Sequence, residues 1–319
     1  MDMKTREAFN EQVLDEAIAR FGISSDMINF LGGFQNFVYQ FTREGQDFIL
    51  RFSHDSRRTP ELVMGEVDWL NYLARNGLKV CKAVKSKRDR IVEVIDAGQT
   101  SFSAVSFVKA PGRPTEQEDL TEELFIKMGN FIGRMHMLTR DYEPSTPEIR
   151  RPEWYEGMDS LANSYLNEVD DKIKDKFIKI RRYPEKYTMG RDEYGLIHCD
   201  FHRHNFHLYQ NEIYLYDFDE CSYSWFVEDI AMALFYALPD EDLPDFKQKA
   251  QQIYDWLMTG YLQENNLNPV WLNEIPYFLK QREINIYIVL KASKIESPFL
   301  ARHRDKIIND IPFVDIKFT

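Results

Sequence analysis

The 319-residue sequence predicts an α+β fold, a small antiparallel-sheet lobe followed by a larger, mostly helical lobe. Three observations predict it. Short β-like runs crowd residues 27–108, and helical periodicity takes over after residue 115. Between them, Lys109-Ala110-Pro111-Gly112-Arg113-Pro114 places Pro and Gly where the pattern changes. The expected division is a first lobe at 1–108, a hinge at 109–114 and a second lobe at 115–319.

Phe9, Val13, Leu14, Ala17, Ile18 and Phe21 recur at spacings of three and four, which predicts an amphipathic opening helix ended by Gly22. The runs MINFL, NFVYQFTR and DFILRFS then read as a three-stranded meander over 27–53. Gly32-Gly33 separates the first two strands, and Glu44-Gly45-Gln46 turns between the next two. Thr59-Pro60 caps a helix whose stripe is Met64, Val67, Leu70 and Leu73, with Gly77 beyond its end. IVEVID and FSAVSFV are two more strands. In the second lobe, Leu124, Met128, Phe131, Ile132, Met135 and Leu138 form one helical stripe, read as core. Further helices are expected near 153–182, 225–238, 244–265 and 271–295, interrupted by a small hairpin from GLIH and EIYLYDFD.

Composition narrows the function classes. Hydrophobic residues at 44% and charged residues at 29% suit a packed globular chain. A net charge of -12 argues against binding nucleic acid or anionic lipid. No stretch approaches 18 uncharged apolar residues, AMALFYAL stopping at Pro239, so no membrane span is expected. Cys81, Cys199 and Cys221 are few and irregularly spaced, which fits a reducing, cytoplasmic setting.

The chemistry concentrates in LIHCDFHRHNFH at 196–207 and IYLYDFDE at 213–220. Asp200 and Asn205 lie five apart in an expected loop, and Asp217 follows Asp200 by 17 residues at a strand end. Phosphoryl transfer to an alcohol needs a carboxylate to orient the hydroxyl and take its proton. It also needs oxygen ligands for Mg²⁺, a carboxylate and an amide carbonyl. These three residues supply all of them.

HCDFHRHN…DFDE resembles the His-x-Asp-x-x-x-x-Asn…Asp-Phe-Asp pattern of the aminoglycoside-phosphotransferase, choline-kinase and homoserine-kinase superfamily, whose members have a protein-kinase-like fold. The resemblance covers roughly residues 27–235. It implies an ATP- and Mg²⁺-dependent kinase acting on a hydroxyl of a small-molecule acceptor, with ATP in a cleft between the lobes. Asp200 would be the catalytic base, Asn205 and Asp217 the metal ligands, and His198 a support of the catalytic loop. Asp219 would be the extra acid beside the metal, and Glu220 a further acid toward substrate or a second metal. Asp229 in EDIAMAL matches an Asp that steadies the loop, with Ile230 where Leu is usual. Cys199 stands where the family commonly has Gly, a strained choice if φ there is positive. LGGFQNFVYQF resembles the hairpin that covers nucleotide phosphates, with Gly32 and Gly33 admitting close approach. Arg51 would replace the phosphate-binding lysine and pair with Glu66, or failing that Glu61, on the next helix. FVKAPG resembles the hinge, where adenine would be read through the backbone of Val108 and Ala110.

Rival readings remain. His198, His202, His204 and His207 beside Cys199 and Asp200 suggest a zinc-dependent hydrolase, although no Cys-x-x-Cys or His-Glu-x-x-His accompanies them. A protein Ser/Thr kinase of the same fold, or a nucleotide-binding pseudokinase, would keep the motif and change the role. Trp154, Tyr223, Trp225 and Phe226 read as core or groove lining, or as an aromatic box for a quaternary ammonium. Acidic Asp219, Glu220 and Glu228 lean toward an amine-bearing acceptor. Walker-type NTPases are excluded, because Gly-Lys-Ser and Gly-Lys-Thr are absent.

Overall fold

The computed structural model describes residues 3–33 and 35–318. Phe34, in the expected phosphate-covering hairpin, lies outside the described residues. Along the first third the elements are α1 (Met3–Ala8), α2 (Glu11–Phe21), β1 (Ile28–Gly32), β2 (Phe37–Arg43), β3 (Gln46–His54), α3 (Pro60–Arg75), β4 (Ala83–Val84), β5 (Val92–Asp96), β6 (Ser101–Val108) and β7 (Arg113–Pro114). Then follow α4 (Glu122–Thr139), α5 (Trp154–Tyr165), α6 (Asp171–Arg182), β8 (Tyr194–Ile197), β9 (Phe206–Tyr209), β10 (Glu212–Leu215), β11 (Ser222–Trp225), α7 (Phe226–Ala237), α8 (Phe246–Glu264), α9 (Ile275–Ala292) and α10 (Pro298–Ile308).

The chain folds as two compact units. The first holds 1–113, 142–151 and 206–219, and the second holds 114–141, 152–205 and 220–319. The first unit is thus built from three separate stretches of sequence.

In the first unit β1, β2, β3 and β6 run antiparallel in that order, with β4 and β5 both pairing with β6. The β2–β3 loop is only Glu44-Gly45, because Arg43 pairs with Gln46. Both loop residues are left-handed, at φ 53° and 76°, the twist a two-residue hairpin favours. The opening helix is broken: Asn10 caps α2 by accepting from the Val13 N–H, so Phe9 sits outside the helix. Its ring instead stacks 3.9 Å from Phe37 and meets Phe52 and Phe102 edge-on. Val13, Ala17 and Phe21 of α2 join Phe41, Leu50, Phe52 and Ile95 in one core. On α3, capped by Thr59, Val67, Leu70 and Leu73 are buried as expected, while Met64 is exposed and Val63 takes its place in the stripe.

In the second unit the whole expected stripe of α4 is buried. α4 crosses α8 closely because glycines line the contact; a Cβ on Gly260 would fall 1.9 Å from the Ile126 carbonyl oxygen. The expected 153–182 helix is two helices, since Asp170 caps α6 separately. GLIH and EIYL do not pair with each other. β8 pairs with β11 in the second unit, and β10 pairs with β9 in the first. Trp225 is fully buried among Trp154, Tyr187, Tyr194 and Trp271, so these aromatics are core rather than a ligand box. Among the described residues, no helix is long and apolar enough to cross a membrane.

Candidate active site

In the second unit β8 delivers the chain into the loop 198–205. The loop is pinned by Asp229, a fully buried residue in the first turn of α7. Its Oδ2 accepts from the His198 N–H at 3.0 Å, and its Oδ1 accepts from the Cys199 N–H at 2.7 Å. Oδ2 also lies 3.1 Å from His136 Nε2, while His136 Nδ1 lies 3.1 Å from the Tyr261 hydroxyl. Burial lowers the His136 pKa, against the opposing pull of Asp229. His136 was hidden in the apolar stripe of α4, where a lone histidine passes for core. His198 is fully buried and its Nδ1 accepts from the Asp200 N–H, which fixes the next turn of the loop.

Cys199 has φ +64°, the left-handed conformation in which a side chain is strained. Its Sγ lies 3.1 Å from Ser222 Oγ, and burial pushes its thiol well above the usual range. Cys199→Gly is therefore expected to raise stability by about 1 kcal/mol, read from the midpoint of denaturant unfolding. A loss of stability would show that the thiol contact outweighs the strain.

Asp200 is held from several sides. Oδ1 accepts from Arg282 Nη2 at 2.7 Å, and Oδ2 accepts from Asn205 Nδ2 at 3.0 Å, with His202 Nε2 at 3.3 Å. Asn205 Nδ2 also donates to the Asp200 carbonyl. Burial alone would raise the Asp200 pKa, but the His202 hydrogen bond and the Arg282 charge outweigh it and hold the carboxyl well below its usual range. Arg282 escaped sequence reasoning. Its signal was polar Lys280-Gln281-Arg282-Glu283 inside the apolar run of α9. Glu220, also in this unit, is exposed and contributes its charge toward Arg282.

In the first unit Arg51 on β3 makes a two-pronged pair with Glu66 on α3, at 2.8 and 2.6 Å, and both side chains are buried. Glu61 is exposed. Arg51 Nη1 lies 4.0 Å from Asp217 Oδ1, and the Asp217 side chain is about half exposed. Burial opposes the Arg51 charge, but Glu66 more than compensates and raises its pKa. Gly32 and Gly33 have φ +107° and +139°, and a Cβ on Gly33 would fall 1.9 Å from the Asn36 carbonyl oxygen. Asn36 Nδ2 in turn donates to Asp219 at 3.3 Å.

Asp219 is buried and pairs with Arg57 and Arg58, while the Arg151 guanidinium donates to its carbonyl. Burial would raise its pKa, but Arg58, Arg57 and Arg51 drive it far down. Its oxygens are thus already committed to arginines and an amide, not left open as the extra metal acid the sequence suggested. At the expected hinge, the Val108 N–H donates to the Lys82 carbonyl, and the Ala110 carbonyl lies 3.3 Å from His207 Nδ1. A base read there would need the Val108 carbonyl rather than its N–H.

Within the second unit the His202 and His204 rings lie 5.7 Å apart. His202 serves Asp200, and His207 serves Ala110. Among the described residues no group of three or more His, Cys, Asp or Glu is arranged to hold a metal ion. Among the described residues Cys81, Cys199 and Cys221 form no disulfide.

The family model described as "Phosphotransferase enzyme family" matches residues 26–263. The chain belongs to the phosphotransferase enzyme family. Among the family's members, amicoumacin kinase of Bacillus subtilis (strain 168) is 34% identical over 97% of this chain and 95% of that protein. The solved structure of amicoumacin kinase hAmiN, in complex with AMP-PNP, Ca²⁺ and Ami, superposes with a TM-score of 0.93. It is 32% identical and covers 100% of this chain and 99% of that one. A microcompartment-associated aminopropanol kinase shares the fold, with a TM-score of 0.72 and 21% identity over 94% of each chain. This member of the family is accordingly a small-molecule kinase with a kinase-like fold.

Proposed function

We propose that the chain transfers the γ-phosphate of ATP to a hydroxyl group of an amicoumacin-type or amino-alcohol acceptor. The observation that carries this reading is the Asp200 carboxylate, kept ionised by Arg282 and His202 on a loop anchored by Asp229. The two relatives that share about a third of their residues with this chain support the acceptor class.

Asp200 accepts a hydrogen bond from the acceptor hydroxyl and aims its oxygen at the phosphorus. With its pKa held low, it contributes orientation first and receives the proton late, as phosphorus–oxygen bonding advances. Arg51, steadied by Glu66, offsets charge on the nucleotide phosphates. Gly32 and Gly33 let the β1–β2 turn approach those phosphates without side-chain obstruction. Asn205 and Asp217 are each of a donor type that a hard cation takes, an amide oxygen and a half-exposed carboxylate. When bound, Mg²⁺ would supply charge neutralisation of the transferring phosphoryl group.

A coupled ADP-release assay with amicoumacin, amino alcohols, sugars, aminoglycosides and a generic protein tests the reading. ADP release dependent on a small hydroxyl acceptor is expected, abolished by excess EDTA and restored by added Mg²⁺. Release only with the protein substrate, or undiminished release in EDTA, would overturn it.

A further inference from the structure

α9 touches two carboxylates with consecutive residues. Arg282 holds Asp200, and Gln281 Nε2 donates to Glu228 Oε1 at 3.2 Å. Glu228, on the first turn of α7, accepts a second hydrogen bond from Ser224 Oγ. Among the described residues it has neutral donors but no ion-pair partner, unlike the carboxylates Asp200, Asp219 and Glu66.

The surrounding polar atoms are unbalanced in one direction. Gln281 is 6% exposed, yet its Oε1 is buried with no hydrogen-bond partner. Asn285, one helical turn further along the same face of α9, has a buried Oδ1 in the same state. A buried acceptor without a donor is costly, and two such acceptors one turn apart on α9, the first of them on the side chain that meets Glu228, point to a missing donor group. An ammonium group brings three donors and a positive charge, which is what this set lacks.

We propose that Glu228, Gln281 and Asn285 form a subsite for an ammonium group of the acceptor, placed by α9 beside the carboxylate that receives its hydroxyl. The inference rests on the phosphotransferase reading and specifies which small molecules that reading admits. The electrostatics of Glu228 agree. Burial and the neighbouring Asp229 push its pKa up to about 7, the Ser224 hydroxyl and the Arg282 charge hold it from rising further, and a bound cation would stabilise its ionised form.

Two matched probe pairs test the subsite: 1-amino-2-propanol against 1,2-propanediol, and amicoumacin against its N-acetylated form. For the amine of a pair, Glu228→Gln is expected to raise KM about tenfold or more with kcat little changed, as loss of a charged hydrogen bond implies. The amine-free partner should be a poor substrate for wild type and indifferent to the substitution. Asn285→Leu should move the amine KM in the same direction. Equal use of amine and amine-free probes by wild type, or an amine KM unchanged in Glu228→Gln, overturns the subsite while the phosphotransferase reading stands. Calorimetric titration of the same probes without ATP separates the two claims. Amine binding that is lost in Glu228→Gln, with no turnover in wild type, supports the subsite and removes the phosphotransferase reading. Failure of both amines to bind wild type overturns the subsite.

Discussion

Replacing Asp200 with Asn is expected to lower kcat by about 10²–10⁴-fold while leaving the KM for ATP close to that of wild type. Asn keeps the size of Asp and can still receive a hydrogen bond from Arg282 Nη2, losing only the one that Oδ2 accepts from Asn205 Nδ2. What it cannot do is accept the proton of the acceptor hydroxyl. Steady-state kinetics with saturating ATP decides the matter, and unchanged kcat would remove Asp200 from the chemistry. The pH profile supplies a companion result. Because Arg282 and His202 hold the Asp200 pKa below its usual range, its ionised form persists as pH falls through that range and is lost only below it. Removing the Arg282 charge by substitution with Met should raise that pKa, so the acid limb of activity moves to higher pH.

Asp229→Ala should destabilise the protein by about 3–5 kcal/mol, the largest effect on stability expected from the loop supports. One carboxylate accepts from two backbone N–H groups and contacts His136, all inside a site from which water is excluded. Alanine would remove the acceptor that the two N–H groups and His136 Nε2 now share, each at a cost of roughly 1–3 kcal/mol before relaxation. Denaturant unfolding gives the stability, and circular dichroism at the assay temperature confirms that the variant is folded. The folded variant should also lose turnover, because the turn carrying Cys199 and Asp200 is no longer fixed. A loss below 1 kcal/mol would mean that other contacts hold the loop.

Much of the fold was legible because local signals agree with tertiary burial. The meander of β1 to β3, the Thr59 cap of α3 and the stripe of α4 each follow from nearest-neighbour chemistry. The misreadings have local causes too. Phe9 fits the helical period, but Asn10 captures the Val13 N–H and starts the helix afresh. β9 and β11 are four residues each, too short for alternation to stand out, so β8 and β10 were matched with each other. α10 was missed although Ser297-Pro298 is a capping pair. In the site, Asp200, Asn205 and Asp217 were visible because they lie within 18 residues of one another. Their supports were not. His136, Arg282, Gln281 and the arginines around Asp219 come from segments far away in sequence, and each looks locally like a core or surface residue.

The return of residues 206–219 to the first unit constrains the order in which this protein can be made. Through this segment Leu215 pairs with Val80 and accepts from the Cys81 N–H, and Asp219 gathers Arg57 and Arg58. An emerging chain of 113 residues would hold the glycine turn and the Arg51–Glu66 pair, but not the Asp219 carboxylate with which Arg57 and Arg58 pair. Completion of the amino-terminal unit must wait until residue 219 leaves the ribosome, after the loop bearing Asp200 has already been synthesised. A gene cut at the hinge should therefore yield an aggregation-prone first fragment, rescued only by a second fragment that brings 206–219 with it.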